Sequence, residues 1–357
     1  MDDPQVSVII LLYNSRKYLP FCFKSLREQT FKNFEILVID NGSIDGGFEW
    51  VKQCAPETKI VRNPANVGFA KGNNRGVYWS SGDFIFFLNA DVFLNEDALE
   101  QLVSYLSAHD EVAAVTPKSC VWNFSAVTDL YGSFSEEIVC PGRIGDIPGK
   151  TDMIDSLGLK IERSYRVTEI GNGKSDAEIV QREPMEIFGA SAASLLMKRE
   201  ALYAVAVQGE GNNAEFFDED FFAYKEDVDL AYRLRLKGWK TYLVPSARVF
   251  HDRSAKQQGA SVLRNRKTKS KFINYHSYKN HMFFLMKNLS LHSALRNFFP
   301  ILFYEARKFF YLLLLEQSSL AGLKKIFKKM PKMLAKRRAI LGSSDRATYR
   351  EIQKWMH

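Results

Sequence analysis

The amino-acid sequence predicts an α/β protein, a mostly parallel sheet with helices on both faces, followed by a C-terminal helical region. Three features predict it. Short apolar runs alternate with segments of helical length as far as Thr116, polar residues gather directly after those runs, and beyond His251 the chain turns to basic, apolar-aromatic stretches. Strand-helix alternation calls for a parallel sheet, because each crossover carries the chain back across one of its faces.

In chain order, Val6 to Leu12 (VSVIILL), Glu35 to Asp40 (EILVID), Lys59 to Val61, Phe84 to Leu88 (FIFFL) and Val112 to Thr116 read as buried strands. They are short and rich in β-branched or aromatic residues. Between them, Tyr18 to Glu28, Phe48 to Cys54, Phe69 to Ser80 and Asn95 to Ala108 have helical length and apolar spacing, and Asn95-Glu96-Asp97 supplies a capped, acidic start. From Ser119 to Glu183 glycines at Gly142, Gly145, Gly149, Gly158, Gly171 and Gly173 predict loops and small antiparallel strands. A helix follows from Glu226 to Lys237, stopped by Gly238, and then a strand from Lys240 to Val244, ended by Pro245. Arg264 to Lys271 is a basic connector, after which Pro331 is placed to kink or divide a lysine-rich helix. The expected organisation is an α/β domain over 1–255, with halves at about 1–118 and 119–255, and a basic helical region over 256–357.

Composition, 46% apolar and 25% charged, is that of a folded globular chain. Charge is divided unevenly. Residues 256–357 hold 22 Lys and Arg against 4 Asp and Glu, whereas residues 1–255 hold 27 against 37. A basic tail behind an acidic front predicts a phosphate-bearing surface as the tail's partner. The tail lacks any nucleic-acid module and the front repels a polyanion, which argues against nucleic acid. Cys22, Cys54, Cys120 and Cys140 are far apart and read as free thiols in a reducing compartment. The acidic start Met1-Asp2-Asp3-Pro4-Gln5 lacks the flank and core of an export signal, and Phe309 to Leu315 is much shorter than the roughly 20 residues of a spanning helix.

In an open α/β sheet, ligands sit beyond the carboxyl ends of strands, against helix N-termini. Tyr13-Asn14-Ser15 follows the first strand, Asp40 to Gly46 (DNGSIDG) the second, Asn66 to Asn74 (NVGFAKGNN) the third and Asn89-Ala90-Asp91 the fourth. Each has a plain reading alone: a turn, a capped loop, a helix cap. Four unrelated turns would seldom all place carboxylates and amides on one edge, and their joint placement predicts a binding site.

The set VSVIILLYN, VIDNGSIDG, NVGFAKGNNRG, FFLNAD and FFAYKEDVDLAYRLRLKGW resembles the family-2 inverting glycosyltransferases, with the Rossmann-like GT-A nucleotide-diphospho-sugar transferase fold, over residues 5 to 255. NVGFAKGNN is most similar to the rhamnosyltransferase branch, which uses dTDP-L-rhamnose. The resemblance implies a nucleotide-diphospho-sugar donor, held by Tyr13, Asn14, Asp40, Gly42, Ser43, Asn66, Gly68, Lys71, Asn89 and Ala90. Asp40 can accept the imide N–H of uracil or thymine. Asp91 and His251 would hold Mg²⁺ or Mn²⁺ on the diphosphate, although Asn89 stands where the family often has a first aspartate. Asp227 is the implied base toward an acceptor hydroxyl, with neighbouring Glu226 at the same helix start, where the helix dipole favours ionised acids. Asp229 pairs with Arg233 at i,i+4. Phe188 to Ala192 would line the acceptor side with small residues. The implied acceptor is a glycan or polyprenyl-linked saccharide, the place of action the cytoplasmic face of an anionic membrane, and an oligomer is compatible. Two other readings stand beside this one, a sugar nucleotidylyltransferase and a non-catalytic sugar-nucleotide-binding subunit. The first lacks its glycine-rich, basic signature at Tyr13-Asn14-Ser15-Arg16, and the second leaves Asp40, Asp91, Asp227 and His251 unexplained.

Overall fold

The computed structural model describes residues 3–131, 140, 144–209, 213–252, 270–342 and 346–356. Its first half runs β1 (Val6–Leu12), α1 (Leu19–Arg27), β2 (Phe34–Asp40), α2 (Gly47–Cys54), β3 (Lys59–Arg62), α3 (Phe69–Trp79), β4 (Phe84–Asn89), β5 (Val92–Leu94), α4 (Ala98–Ser107) and β6 (Val112–Trp122). There follow α5 (Ser125–Tyr131), β7 (Lys150–Ser156), β8 (Leu159–Ile161), β9 (Val167–Glu169), β10 (Met185–Ile187), β11 (Ser194–Lys198), α6 (Arg199–Ala204), β12 (Val207–Gln208), β13 (Ala214–Glu215), α7 (Glu226–Leu236) and β14 (Lys240–His251). The C-terminal helices are α8 (Lys271–Asn288), α9 (Leu291–Arg296), α10 (Phe298–Leu315), α11 (Gly322–Leu341) and α12 (Arg346–Gln353).

The main sheet has the order β10-β14-β6-β11-β4-β1-β2-β3, with β5 beside β14 and β7 beside β6. Strands β3, β2, β1 and β4 are parallel, and β11 runs antiparallel between β4 and β6. Register pairs Leu12 with Asp40 and Leu11 with Asn89, so the polar residues after β1, β2 and β4 emerge at one edge. The far end of β14 pairs His251 with Val92 of β5, which brings His251 beside Asp91.

Side chains alternate across the sheet with period two. Ile9, Ile39, Ile85 and Phe87 pack toward α3 and α6, while Val8, Ile10, Val38 and Phe86 pack toward α2 and α4. Both faces are covered, as the apolar runs required. A third core joins Tyr165, Phe221 and Tyr232 to Phe283, Phe284, Leu312, Ile326 and Met333, so the C-terminal helices pack directly on α7 and the segment before it. Each large apolar side chain buried there contributes about 1.5–3 kcal/mol.

Four expectations are corrected. Pro245 does not end β14, because a register irregularity between Val244 and Arg248 absorbs it and the strand continues to His251. Pro331 does not divide α11, which runs unbroken from Gly322 to Leu341. Cys54 and Cys140 form a disulfide rather than two free thiols, leaving Cys22 and Cys120 buried and reduced. The strand beginning at Val112 extends to Trp122, and its added length carries β7 and hence Asp155. The expected basic connector lies mostly outside the described residues. Among those described, no helix is long and apolar enough to cross a membrane.

Candidate active site

Beyond the carboxyl ends of β4 and β14 lies a cavity of 460 Å³ lined by Asn89, Asp91, Glu226, Asp227 and His251, together with small residues Ser191, Ala192 and Ala193. The turn from β4 into β5 fixes Asp91, and the β5–β14 pairing fixes His251 opposite it. His251 Nε2 lies 3.4 Å from Asp91 Oδ1, and its Nδ1 lies 3.0 Å from Oδ2 of Asp155, a buried residue of β7. Burial disfavours the imidazolium, but Asp91 and Asp155 outweigh it and push the His251 pKa up to about 9. Asp252, also in the cavity wall, accepts a hydrogen bond of 2.6 Å from the Tyr18 hydroxyl. A larger hollow of 640 Å³ beside Lys24, Glu28 and Lys150 contains none of the candidate residues.

Glu226 and Asp227 open α7 after an unusual approach. Phe222, Tyr224 and Lys225 all have left-handed backbone, with φ of 68°, 73° and 69°. Each such non-glycine residue costs on the order of 1–3 kcal/mol, so surrounding contacts must impose the conformation. The turn sends Glu226 inward, where it is buried and its Oε2 makes no hydrogen bond. Burial, and then the charge of Asp227, hold its carboxyl well above the ordinary range. Here the expected ionisation by the helix dipole is overturned for Glu226: desolvation is the larger effect. Asp227 is half-buried, and its Oδ1 accepts the Val228 N–H at 2.8 Å. Asp229 does pair with Arg233, at 2.9 Å, but deep in the protein and shared with Lys287.

The donor-side candidates form an adjoining network at the ends of β1, β2 and β3. Asp40 is fully buried; its Oδ1 accepts the Ser43 N–H at 3.0 Å, while Oδ2 makes no hydrogen bond although Arg62 Nε stands 3.0 Å away. The Asn14 N–H donates to Ser43 Oγ, and Asn14 Oδ1 accepts the Ile44 N–H. Gly42 has φ of 74°, and any Cβ there would stand 3.0 Å from the Ala65 backbone. Asn66 Oδ1 accepts the Gly68 N–H, and a Cβ on Gly68 would meet the Phe222 carbonyl oxygen at 2.5 Å. Thus the Asn66–Lys71 loop lies against the segment that precedes Glu226. Lys71 pairs with Glu219 at 3.2 Å, Tyr13 is exposed, and Ala90 is buried behind Asn89.

Sequence reasoning missed Asp155, which sits in the irregular stretch with nothing around it to single it out. It also missed Ile273 and Ser277 of α8, which line the cavity from the C-terminal region. Of the expected acceptor-side residues, Ser191 and Ala192 reach the cavity and Phe188 is core; Tyr224, just before α7, also lines the cavity. Among the described residues no three His, Cys, Asp or Glu side chains converge as a self-sufficient metal site. The Asp91 Oδ1 and His251 Nε2 atoms stand close enough that one cation would fit between them, with Asp155 bonding the imidazole from behind.

Residues 7–156 match the model of the family described as "Glycosyl transferase family 2". An uncharacterized glycosyltransferase of Haemophilus influenzae is 33% identical over 115 residues, covering 31% of this chain and 36% of that protein. Glycosyltransferase GlyA of Streptococcus pneumoniae is 30% identical over 115 residues, covering 32% and 16%. A PGL/p-HBAD biosynthesis glycosyltransferase of Mycobacterium bovis is 32% identical over 114 residues, covering 31% and 44%. The chain therefore spans less than half the length of each of these relatives. The crystal structure of GalNAc-T7 with UDP, GalNAc and Mn²⁺ superposes with a TM-score of 0.53 at 17% identity, covering 91% of this chain and 55% of that one. The fold is GT-A, with an added C-terminal helical region.

Proposed function

We propose that this chain is an inverting family-2 glycosyltransferase that moves a sugar from a nucleotide diphosphate to a glycan or lipid-linked saccharide in polysaccharide synthesis. The observation that carries the reading is the convergence of Asp91, His251, Glu226 and Asp227 on one cavity, with the buried Asp40 carboxylate, paired with Arg62, at the neighbouring strand end. Asp40 would accept the imide N–H of uracil or thymine, and Asn14, Ser43 and the Asn66–Lys71 loop would hold the ribose and phosphates. Between those bases Asp40 does not discriminate; the wording NVGFAKGNN favours dTDP-L-rhamnose as donor. Asp91 and His251 fit Mg²⁺ or Mn²⁺, which when bound would neutralise charge on the departing diphosphate; the GalNAc-T7 structure holds Mn²⁺ with UDP.

Asp227, half-exposed in the cavity, takes the proton of the acceptor hydroxyl as that oxygen bonds to the anomeric carbon. The carbon–oxygen bond to the diphosphate breaks on the opposite face, the nucleotide leaves with the electron pair, and the configuration inverts. Glu226 beside it, its carboxyl held well above the ordinary range by burial, would when protonated donate a hydrogen bond to an acceptor oxygen. The test is turnover across UDP-, GDP- and dTDP-sugars, followed by Asp227→Asn with the donor that is used. The variant should lose about 10²-fold or more in kcat, because its amide cannot accept the proton, with calorimetric donor binding little changed. Near-normal turnover would remove Asp227 from the mechanism, and nucleotide binding without turnover of any donor would indicate a non-catalytic subunit.

An anionic membrane surface is the place of action we propose. Phe299, Leu302, Phe303, Phe310, Leu313 and Leu314 are exposed along α10 at spacings that form one helical face. Arg296 and Arg307 before and on α10, and Lys324, Lys325, Lys328 and Arg338 on α11, are exposed. Apolar rings can enter the interface while cations meet anionic headgroups.

A further inference from the structure

The strained segment Phe222–Lys225 holds no glycine, and it is gripped from outside the catalytic half of the chain. The Asn280 side-chain NH2 of α8 lies within hydrogen-bonding distance of three backbone carbonyls, Phe221 at 2.9 Å, Ala223 at 2.8 Å and Tyr224 at 2.7 Å, and shares its two hydrogens among them. The orientation of this fully buried amide follows from its partners, since three carbonyls can only accept. One turn away, His276 stacks on the Phe222 ring with centroids 5.3 Å apart. Lys279 Nζ donates to the Asp220 carbonyl at 3.0 Å. On its other side, the Phe222 carbonyl accepts the Ala70 N–H at 3.1 Å, at the start of α3.

We infer that Asn280 is a positioning residue: by satisfying the carbonyls of the left-handed segment it aims Glu226 and Asp227 into the cavity and keeps them in register with the Asn66–Lys71 loop. The inference rests on the reading of Glu226 and Asp227 as the acids of glycosyl transfer. The physical case is local. Left-handed backbone at three non-glycine residues relaxes unless something offsets its cost, and the Ala223 and Tyr224 carbonyls, turned inward, would lose the donor that Asn280 gives them, whereas Phe221 would keep the Ala223 N–H. Ala70 bonds the Phe222 carbonyl from the sheet side, and Asn280 shares its two N–H groups among the Phe221, Ala223 and Tyr224 carbonyls from the helix side, where Phe221 is also reached by the Ala223 N–H and Lys279. Loss of Asn280 therefore frees the peptide that ends at the acids, while the donor-side network around Asp40 and Asn14 stays intact.

The experiment compares the full-length chain with Asn280→Ala, with Asn280→Ser, which keeps one donor, and with Asn297→Ala. Asn297 is buried between α9 and α10, bonded to the Ser293 carbonyl and Gln353, and touches nothing in the cavity. Two readouts are taken: kcat and KM with the donor that the wild type turns over, and hydrogen exchange of the peptide spanning residues 218–228. Asn280→Ala should lower kcat about 10- to 100-fold with KM within about threefold, because misplaced reacting groups cost turnover more than binding. Exchange in 218–228 should quicken about tenfold or more. Asn280→Ser should fall between, and it supplies the reading if the alanine variant fails to fold. Asn297→Ala should lower the melting temperature while leaving kcat and the exchange of 218–228 near wild type. Unchanged exchange in 218–228, or quickened exchange with kcat within about twofold of wild type, would overturn the inference. If Asp227→Asn proves fully active, the assignment of the acids has failed, and the exchange readout still judges the clamp.

Discussion

Glu226 shows how burial can reverse what a helix terminus favours. A carboxyl at the start of α7 gains from the dipole by a fraction of a kcal/mol to about 1, whereas removing its charge from water beside a second acid costs several times as much. Its folded pKa stands above the unfolded one. The stability that it contributes is therefore fully present below the ordinary carboxylate range and is lost as pH rises through the raised folded value. Glu226→Gln should unfold at a higher urea concentration than wild type at neutral pH, and the two midpoints should converge near about pH 4. Parallel midpoint curves across that interval would mean that Glu226 ionises in the folded protein as it does in water.

At the scale of elements, α10 carries the membrane proposal. Phe303→Gln combined with Phe310→Gln should abolish co-sedimentation with vesicles containing phosphatidylserine while leaving the melting temperature within a few degrees, since both rings are exposed. Equal recovery of the wild type in the supernatant with neutral and anionic vesicles at low salt would end the proposal. α11 was expected to give its lysines to the same surface, but Lys336 turns inward to Glu215, Asp218 and Asp220, and Lys329 and Lys332 also pair with Asp220. Sequence periodicity marks a basic face without saying what it meets. The same limit explains what was legible. β1, α3 and α7 were readable because apolar spacing and their glycine or acidic boundaries are local signals, and Asp40 and Asp91 because they close apolar runs, whereas His251, beyond the strand expected to end at Pro245, was singled out by the family resemblance alone. Asp155 and Asn280 act across 96 and about 57 positions of chain respectively, through contacts that only the folded sheet and helices bring about.

Over the whole molecule, the division into an acidic front and a basic tail is resolved by burial. Lys287 lies at zero exposure between Asp218 and Asp229, at 2.6 and 2.8 Å, and Lys336 closes on Asp218 from α11 at 2.6 Å. These cations, with Arg233, hold the Asp218 and Asp229 carboxyls below the usual range despite their burial. Removing one partner of such a cluster costs about 3–5 kcal/mol, because the remaining charges are left uncompensated in a dry interior. A chain ending at Asp252 would lose both lysines and the third core together. It should show no cooperative thermal transition, whereas the full chain should show one; a cooperative melt of the shortened chain would establish the front as a self-sufficient domain.

The buried aspartate at 218 also constrains how chains of this kind can recombine. It is answered by lysines 69 and 118 positions downstream, on two different helices. A hybrid that joins the front of one homologue to the tail of another between α7 and α8 inherits a lock from one parent and both keys from the other. Recombinants would stay functional only where the stretch from Glu215 to Asp229 travels with α8 and α11, so these distant segments should be passed on as a single heritable block.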